Sequence, residues 1–506
     1  KTHNGNGWLV PKKSQHLVNT MSKLIDVFEK LGPDLYDYRE PYRKLYQDQN
    51  ESDLTTAKKS NNIERAAQAI ENADYLLIAA GAGMSADSGL ATYMDLAKIP
   101  EWERKGLTYE DPCNPNLLEE NPALFYGFWG YSHNTYSSNM PHDGYNILKK
   151  WCDQKTNQRD RSKENDKAQE AQEEGFLPWF VYTSNVDGYF KKVGFSLDHI
   201  LELHGSLMPS RTPKELDDGV LNDDHHHACD NTFKNLMIDQ KNTTCSGWFC
   251  ISCYPPNTAT EGIEIKDFLS YPLDFRFKID SDTMEIQQNN HKHDTNSNDS
   301  DNGGDWPKCP KCNGLCRPAV HMFSENHKVL LNRLAKEEEK YVAWECIVEK
   351  AVCPPSSSSS PTPTTTFAAS SSIDLSDIIA TEKKTEEKAI EDTDEEGCLQ
   401  NKKVCIIEIG CGLRVPSVRM ETETVLADIL EKLTKTGSNT KDQVSLIRIN
   451  QDFPEVLIPS YMDMSLEVKQ CWNDSIIECK GGALQTLQAI DNAIPFQVSP
   501  QSACNE

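Results

Sequence analysis

The stretch Tyr75-Leu-Leu-Ile-Ala-Ala-Gly81-Ala82-Gly83-Met84-Ser85 constrains this chain more than any other. Its uncharged run is long enough for a buried strand and short for a helix. Glycines follow at once, then small and hydroxyl residues. Glycine lets the backbone turn sharply and lets a phosphate approach the main chain closely. The pattern predicts a nucleotide bound at the carboxyl end of a parallel strand. It falls short of the full G-x-G-x-x-G fingerprint, and a tight turn alone yields the same run. The rest of the chain has to decide between them.

Further strand-like runs support the first reading. Trp179–Tyr182, Ile200–Leu203, Val404–Ile409 and Val444–Ile449 are apolar, short, and separated by helical patterns. Ile63, Ala66, Ala67 and Ile70 mark a helix leading into the first strand. Alternation of this kind predicts an α/β fold with a doubly wound parallel sheet. Ligands of such sheets sit beyond the carboxyl ends of the strands, so the loops after these runs should gather on one edge.

Three stretches read as inserts. Residues 153–175 are rich in Lys, Glu, Gln and Asp. Residues 280–305 hold Asn, Asp and His with almost no apolar side chains. Residues 354–400 pass from a Ser/Pro/Thr run into acidic low complexity. They bury too little apolar surface to offset the entropy of ordering. Ahead of the first strand, Leu17, Met21, Leu24, Ile25, Phe28 and Leu31 fall at helical spacing, and Gly32-Pro33 stops that helix.

The 506 residues carry a formal net charge of -26, which argues against direct nucleic-acid binding or attachment to an anionic membrane surface. No apolar run reaches membrane-spanning length, and the opening residues lack a signal-peptide apolar core. The 17 cysteines follow no small-domain disulfide pattern. They read as reduced thiols of a cytoplasmic or nuclear protein, some of them on a metal.

The chemistry-bearing residues follow the strands. Thr183-Ser184-Asn185-Val186-Asp187-Gly188 comes after the second, and His204-Gly205 after the third. Asn185 offers hydrogen bonds to ribose hydroxyls, Asp187 orients a neighbour, and His204 moves protons near neutral pH. A lone histidine is more often structural; beside this Asn/Asp loop and the glycine turn it reads as a base. Gly410-Cys411-Gly412 forms a second close-approach turn, and Asn450 follows the strand at 444–449. Cys250-Ile-Ser-Cys253 and Cys309-Pro-Lys-Cys312 are paired knuckles suited to structural Zn²⁺. Their separation exceeds the usual ribbon spacing because the 280–305 insert lies between them. In the first pair, Cys229 or Cys245 is an alternative ligand. The run His225–His227 reads as an exposed insert.

Taken in order, these motifs resemble the sirtuin family of NAD-dependent protein deacylases. The likeness spans roughly residues 62–495 and includes Arg317-Pro318. It implies a Rossmann-type NAD domain and a small zinc-ribbon domain, with NAD in the cleft between them. The domain expectation is an accessory helical segment at 1–60, a first part of the NAD-binding domain at 61–205, and the zinc-ribbon domain at 206–320. The chain then returns to the large domain at 321–353, passes the insert at 354–400, completes the domain at 401–495 and ends in a tail at 496–506.

The resemblance implies an enzyme that moves the acyl group of an acyl-lysine protein or peptide to ADP-ribose, releasing nicotinamide. His204 would be the base, with Asn185 and Asp187 at the ribose and nicotinamide end. Gly81, Ala82, Gly83 and Ser85 would line the pyrophosphate. Tyr93 and Ser184 would add to the NAD site, and Gly410, Gly412 and Asn450 would hold the adenosine half. Val320 would pair with the substrate backbone. The chain departs from the family at Ala91-Thr92-Tyr93-Met94, where the family carries Pro-Asp-Phe-Arg. Met94 supplies neither the charge nor the donors of that Arg. ADP-ribosyl transfer, NAD hydrolysis and ligand binding without catalysis are therefore the alternative functions.

Overall fold

In the computed structural model, the described residues are 38–48, 56–91, 100–108, 110–163, 175–208, 247–255, 276–287, 306–309, 312–323, 325, 327–354, 402–436, 442–459 and 461–495. The helix expected between Leu17 and Leu31, Tyr93 and Met94, His225–His227, Cys229, Cys245, most of the three inserts and the tail lie outside them.

Eight strands are present among the described residues: β1 Tyr75–Ala80, β2 Trp179–Thr183, β3 Ile200–Glu202, β4 Trp248–Cys250, β5 Cys316–Pro318, β6 Val404–Ile409, β7 Val444–Asn450 and β8 Ile476–Lys480. Six form one sheet in the order β3-β2-β1-β6-β7-β8, with every neighbouring pair parallel. Numbered within that sheet, this is the 3-2-1-4-5-6 order of a Rossmann-type doubly wound fold.

Alternation along each strand sends side chains to both faces, and both faces are covered. Leu76, Ile78 and Ala80 of β1 join the core beneath the helices Thr56–Asn72, Asp143–Lys163 and Ala483–Ala493. Leu77 and Ala79 join the opposite core, beneath Lys328–Val352, Ser417–Thr436 and Leu466–Trp472. Two buried faces explain why β1 and β6 read as unbroken apolar runs rather than alternating ones. The first insert is partly structured, since the helix starting at Asp143 runs to Lys163.

The remaining pair, β4 and β5, is a separate two-stranded antiparallel sheet. It packs on the helix Pro122–Ser138 through an aromatic cluster that includes Tyr126, Trp129, Trp248 and Phe277. A single bridge, Gly205 to Val320, links the end of β3 to the chain leaving β5.

Candidate functional site

Two glycine turns meet at the centre of the sheet edge. The Gly83 amide donates to the Gly410 carbonyl at 2.9 Å, and the Gly81 amide donates to Ile409 at 3.0 Å. Gly410 has φ +65°, and a Cβ there would lie 2.2 Å from the Met84 nitrogen. A Cβ on Gly83 would lie 2.7 Å from the Gly410 Cα. These glycines are thus required by one another, because neither turn fits against its partner with a side chain in place. Their backbones also border a cavity of about 560 Å³, with Ala82, Gly412, Asn450 and the start of the helix Ala483–Ala493.

Asn450 braces this cavity from below. Its Nδ2 donates to the Cys411 carbonyl at 2.8 Å, and its Oδ1 accepts from the amides of Asp452 and Phe453 at 3.0 Å each. One buried side chain therefore ties the loop after β6 to the loop after β7.

A second cavity of about 280 Å³ lies over β1, β2 and β3 and shares Ala82, Ser184 and Val415 with the first. Ser85, Asn185, Asp187 and His204 line it, with Phe128, Trp129, Val320, His321 and Met322. Its polar wall is a closed network. Ser85 Oγ lies 2.5 Å from Asp187 Oδ2 and donates to it. With that proton committed, Tyr145 must donate to Ser85 across their 2.9 Å contact. Asn185 Nδ2 donates to the Gly81 carbonyl at 3.0 Å and to Ser85 Oγ at 3.2 Å. Both amide hydrogens are used, so Asn185 meets a ligand through its Oδ1, as an acceptor. The Tyr189 amide donates to Asp187 Oδ1 at 2.9 Å. Burial pushes the Asp187 carboxyl up, while Ser85 and the Tyr189 amide pull it down.

His204 stands at the end of β3, half-buried on the cavity wall. Burial, with a smaller contribution from neighbouring His321, drives its imidazole down to about 4. The ring is therefore neutral at pH 7 and able to accept a proton. The His321 amide donates to the His204 carbonyl at 2.8 Å, which fixes the two backbones side by side.

The structure brings Ser184, Asn185, Asp187 and His204 together with the first glycine turn. Ser85 falls in the smaller cavity with its hydroxyl engaged, rather than in the larger one. Sequence reasoning assigned no role to Tyr145 or His142. His142 Nε2 donates to the Met84 carbonyl at 2.7 Å, and its Nδ1 accepts from the Gly144 amide at 2.9 Å, so it steadies the glycine turn. Only the fold brings Tyr145 to Ser85, from 60 residues further along the chain.

Cys250, Cys253, Cys309 and Cys312 converge, with all four sulfurs within 4.8 Å of one another. Measured pairs are 3.4 Å for Cys250–Cys312, 3.5 Å for Cys253–Cys312 and 3.8 Å for Cys253–Cys309. Tetrahedral Zn²⁺ with thiolates at 2.3 Å requires sulfurs ~3.8 Å apart, so the set fits a closed structural site. The Cys253 amide donates to Cys250 Sγ and the Gly314 amide to Cys312 Sγ, each at 3.4 Å, which orients the thiolates.

A six-stranded parallel sheet in this order, with two cavities along its carboxyl edge, defines a Rossmann-type doubly wound fold. Similarity to known proteins narrows this. The chain is 27% identical over 148 residues to NAD-dependent protein deacylase 2 of Pseudomonas aeruginosa, covering 29% of this chain and 50% of that one. It is 24% identical over 156 residues to the mitochondrial NAD-dependent protein deacylase sirtuin-5 of Canis lupus familiaris, covering 31% and 43%. The chain thus spans about half the length of the curated relatives it matches. A solved Sir2 homologue in complex with NAD aligns at 15% identity over 85% of this chain and 93% of that one, with a TM-score of 0.36. No family model matches. Over the matched stretch the chain is similar to curated NAD-dependent protein deacylases, sirtuin-5 among them.

Proposed function

We propose that this protein is an NAD-dependent protein-lysine deacylase. The observation that carries the reading is the placement of neutral His204 and the Asn185–Ser85–Asp187–Tyr145 network in a cavity that shares Ala82, Ser184 and Val415 with the larger glycine-lined one. NAD as a substrate supplies a ribose whose bond to nicotinamide is broken by the acyl oxygen of an acyl-lysine. The larger cavity takes the adenosine half and the diphosphate, on the main chain of the two glycine turns and the loop braced by Asn450. Asn185 accepts from the ribose hydroxyls. His204 removes a ribose hydroxyl proton as that oxygen takes up the acyl carbon; the acyl C–N bond breaks, lysine leaves as the free amine, one water is consumed, and the acyl group ends on ADP-ribose.

The substrate enters as an extended acylated peptide beside Val320. In its bridge to Gly205, Val320 turns its own N–H and C=O away from β3, and Arg317 Nη2 donates to that C=O at 2.9 Å. This is the geometry in which a peptide adds to a strand edge. The cysteine unit at 206–320 binds Zn²⁺ and forms one wall of the cleft, and residues 61–205, 321–353 and 401–495 make the large domain. The 17 cysteines follow no small-domain disulfide pattern, which supports the cytosol or nucleus. No described helix is long and apolar enough to cross a membrane.

The test is to incubate the protein with NAD and an acyl-lysine peptide library and detect products by mass spectrometry. Nicotinamide together with O-acyl-ADP-ribose supports the proposal. Nicotinamide alone points to ADP-ribosyl transfer or NAD hydrolysis. Neither product, with NAD bound, points to a binding module.

A further inference from the structure

The larger cavity has a wall from outside the sheet. Arg39 and Tyr42, which belong to the segment 38–48 that precedes the first sheet helix, line it. Tyr42 is 3% exposed and its ring carries the Arg419 guanidinium at 5.4 Å. Its hydroxyl accepts from Arg419 Nη1 at 3.3 Å and Arg448 Nη1 at 3.2 Å, and lies 3.2 Å from the Glu455 carbonyl as donor. Arg419 in turn donates to the carbonyls of Cys411 and Phe453, one from each cavity loop. Tyr38 adds a 2.7 Å bond to Glu423, which Arg448 also holds. The segment is therefore locked onto the groups that shape the cavity floor.

The charges on the wall give this placement chemical meaning. The ionisable groups lining the cavity among the described residues are Arg39, Tyr42, Asp87, Arg414 and Asp452. Asp87 accepts from the Leu484 amide at 2.8 Å, in the first turn of the helix Ala483–Ala493. That amide and the helix end offset its charge. Arg39 and Arg414, with Asp452 as the second carboxylate, line a cavity floored in part by glycine backbone, and a guanidinium fork beside main-chain amides suits phosphate oxygens.

We propose that Arg39 binds the diphosphate of the nucleotide ligand together with Arg414, and that the segment Tyr38–Tyr42 is a built-in part of the binding site. The inference rests on the dinucleotide reading above. Its test is calorimetric titration of the full chain with ADP-ribose and with adenosine. Arg39→Ala should weaken ADP-ribose binding about tenfold and leave adenosine binding unchanged, with Arg39→Lys recovering part of the loss. Tyr42→Phe, which keeps the ring, should weaken both ligands by a smaller factor and lower the melting temperature, because its hydroxyl serves the buried Arg419 and Arg448. If Arg39→Ala binds ADP-ribose as the parental chain does, or loses both ligands equally, the proposal is overturned. A parental chain that binds no ADP-ribose overturns the dinucleotide reading and this proposal together.

Discussion

The two cavities of the cleft are built from different materials. The larger is shaped by main chain: two glycine turns locked on each other, and loops tied by Asn450 and Arg419. The smaller is shaped by side chains, with Ser85, Tyr145, Asn185 and Asp187 closing a network beside His204. Main chain binds any ligand of the right shape and tolerates almost no substitution at its glycines. Side chains supply the chemistry and tolerate substitution at the cost of that chemistry. Damage to the first should appear as lost folding, and damage to the second as lost turnover.

The largest effect tests the wall they do not share. Val320 of the smaller cavity follows directly on β5, whose neighbours hold the cysteine set. Cys309→Ser should release the metal and unfold that unit, since such metal binding is worth about 10 kcal/mol or more. Metal content, melting temperature and peptide binding all check this, and intact adenosine binding would sharpen the contrast. Next, Gly410→Ala should destabilise the whole sheet by ~3 kcal/mol or more, because a Cβ at φ +65° collides with the Met84 backbone. Denaturant unfolding measures it, and a small loss would break the contrast at its root.

His204→Ala should lower acyl transfer by about 10²–10⁴-fold while NAD binding persists. Parental turnover in that variant would remove His204 from the reaction. Ser85→Ala should destabilise by about 1–3 kcal/mol, because it leaves buried Asp187 short of a donor, and should slow turnover as well. The smallest effect is in pH. With the folded imidazole of His204 at about 4, against an ordinary value near 6.5, the unfolded chain binds more protons between those limits. This histidine therefore removes stability as pH falls from about 6.5 to about 4, and adds no pH dependence above that window. Imidazole NMR should place its midpoint near the lower limit.

The side-chain cavity and the central strands were more legible in sequence than the main-chain cavity. Tyr75–Ala80 and Val404–Ile409 stood out because burial on both faces selects unbroken apolar runs. Strand β8, Ile476–Lys480, was missed because an edge strand of five residues with a glutamate and a lysine has no such pattern. The helix Glu40–Asp48 lies in the segment 1–60 expected to be helical, but its seat on the sheet was not legible, since the Tyr42 contacts with Arg419 and Arg448 are polar and distant in sequence. The first glycine turn was read as a phosphate cradle and the second as a close-approach turn for the adenosine half. That they interlock depends on Gly83 meeting Gly410, which no local window contains. Asn185 and Asp187 were visible as a pair, but the Tyr145–Ser85 link that completes them exists only after folding.

The pairing of β1 with β6 joins Tyr75 to Val404 across most of the chain. Every other neighbouring pair in the main sheet closes a much shorter loop. Loop closure of that length is slow because its entropy is lost before any contact rewards it. The two halves of the sheet should therefore assemble separately and zip together last, at the seam where the glycine turns meet. A nucleotide that spans this seam would act as a clasp on a nearly finished molecule, and refolding in its presence would be completed sooner.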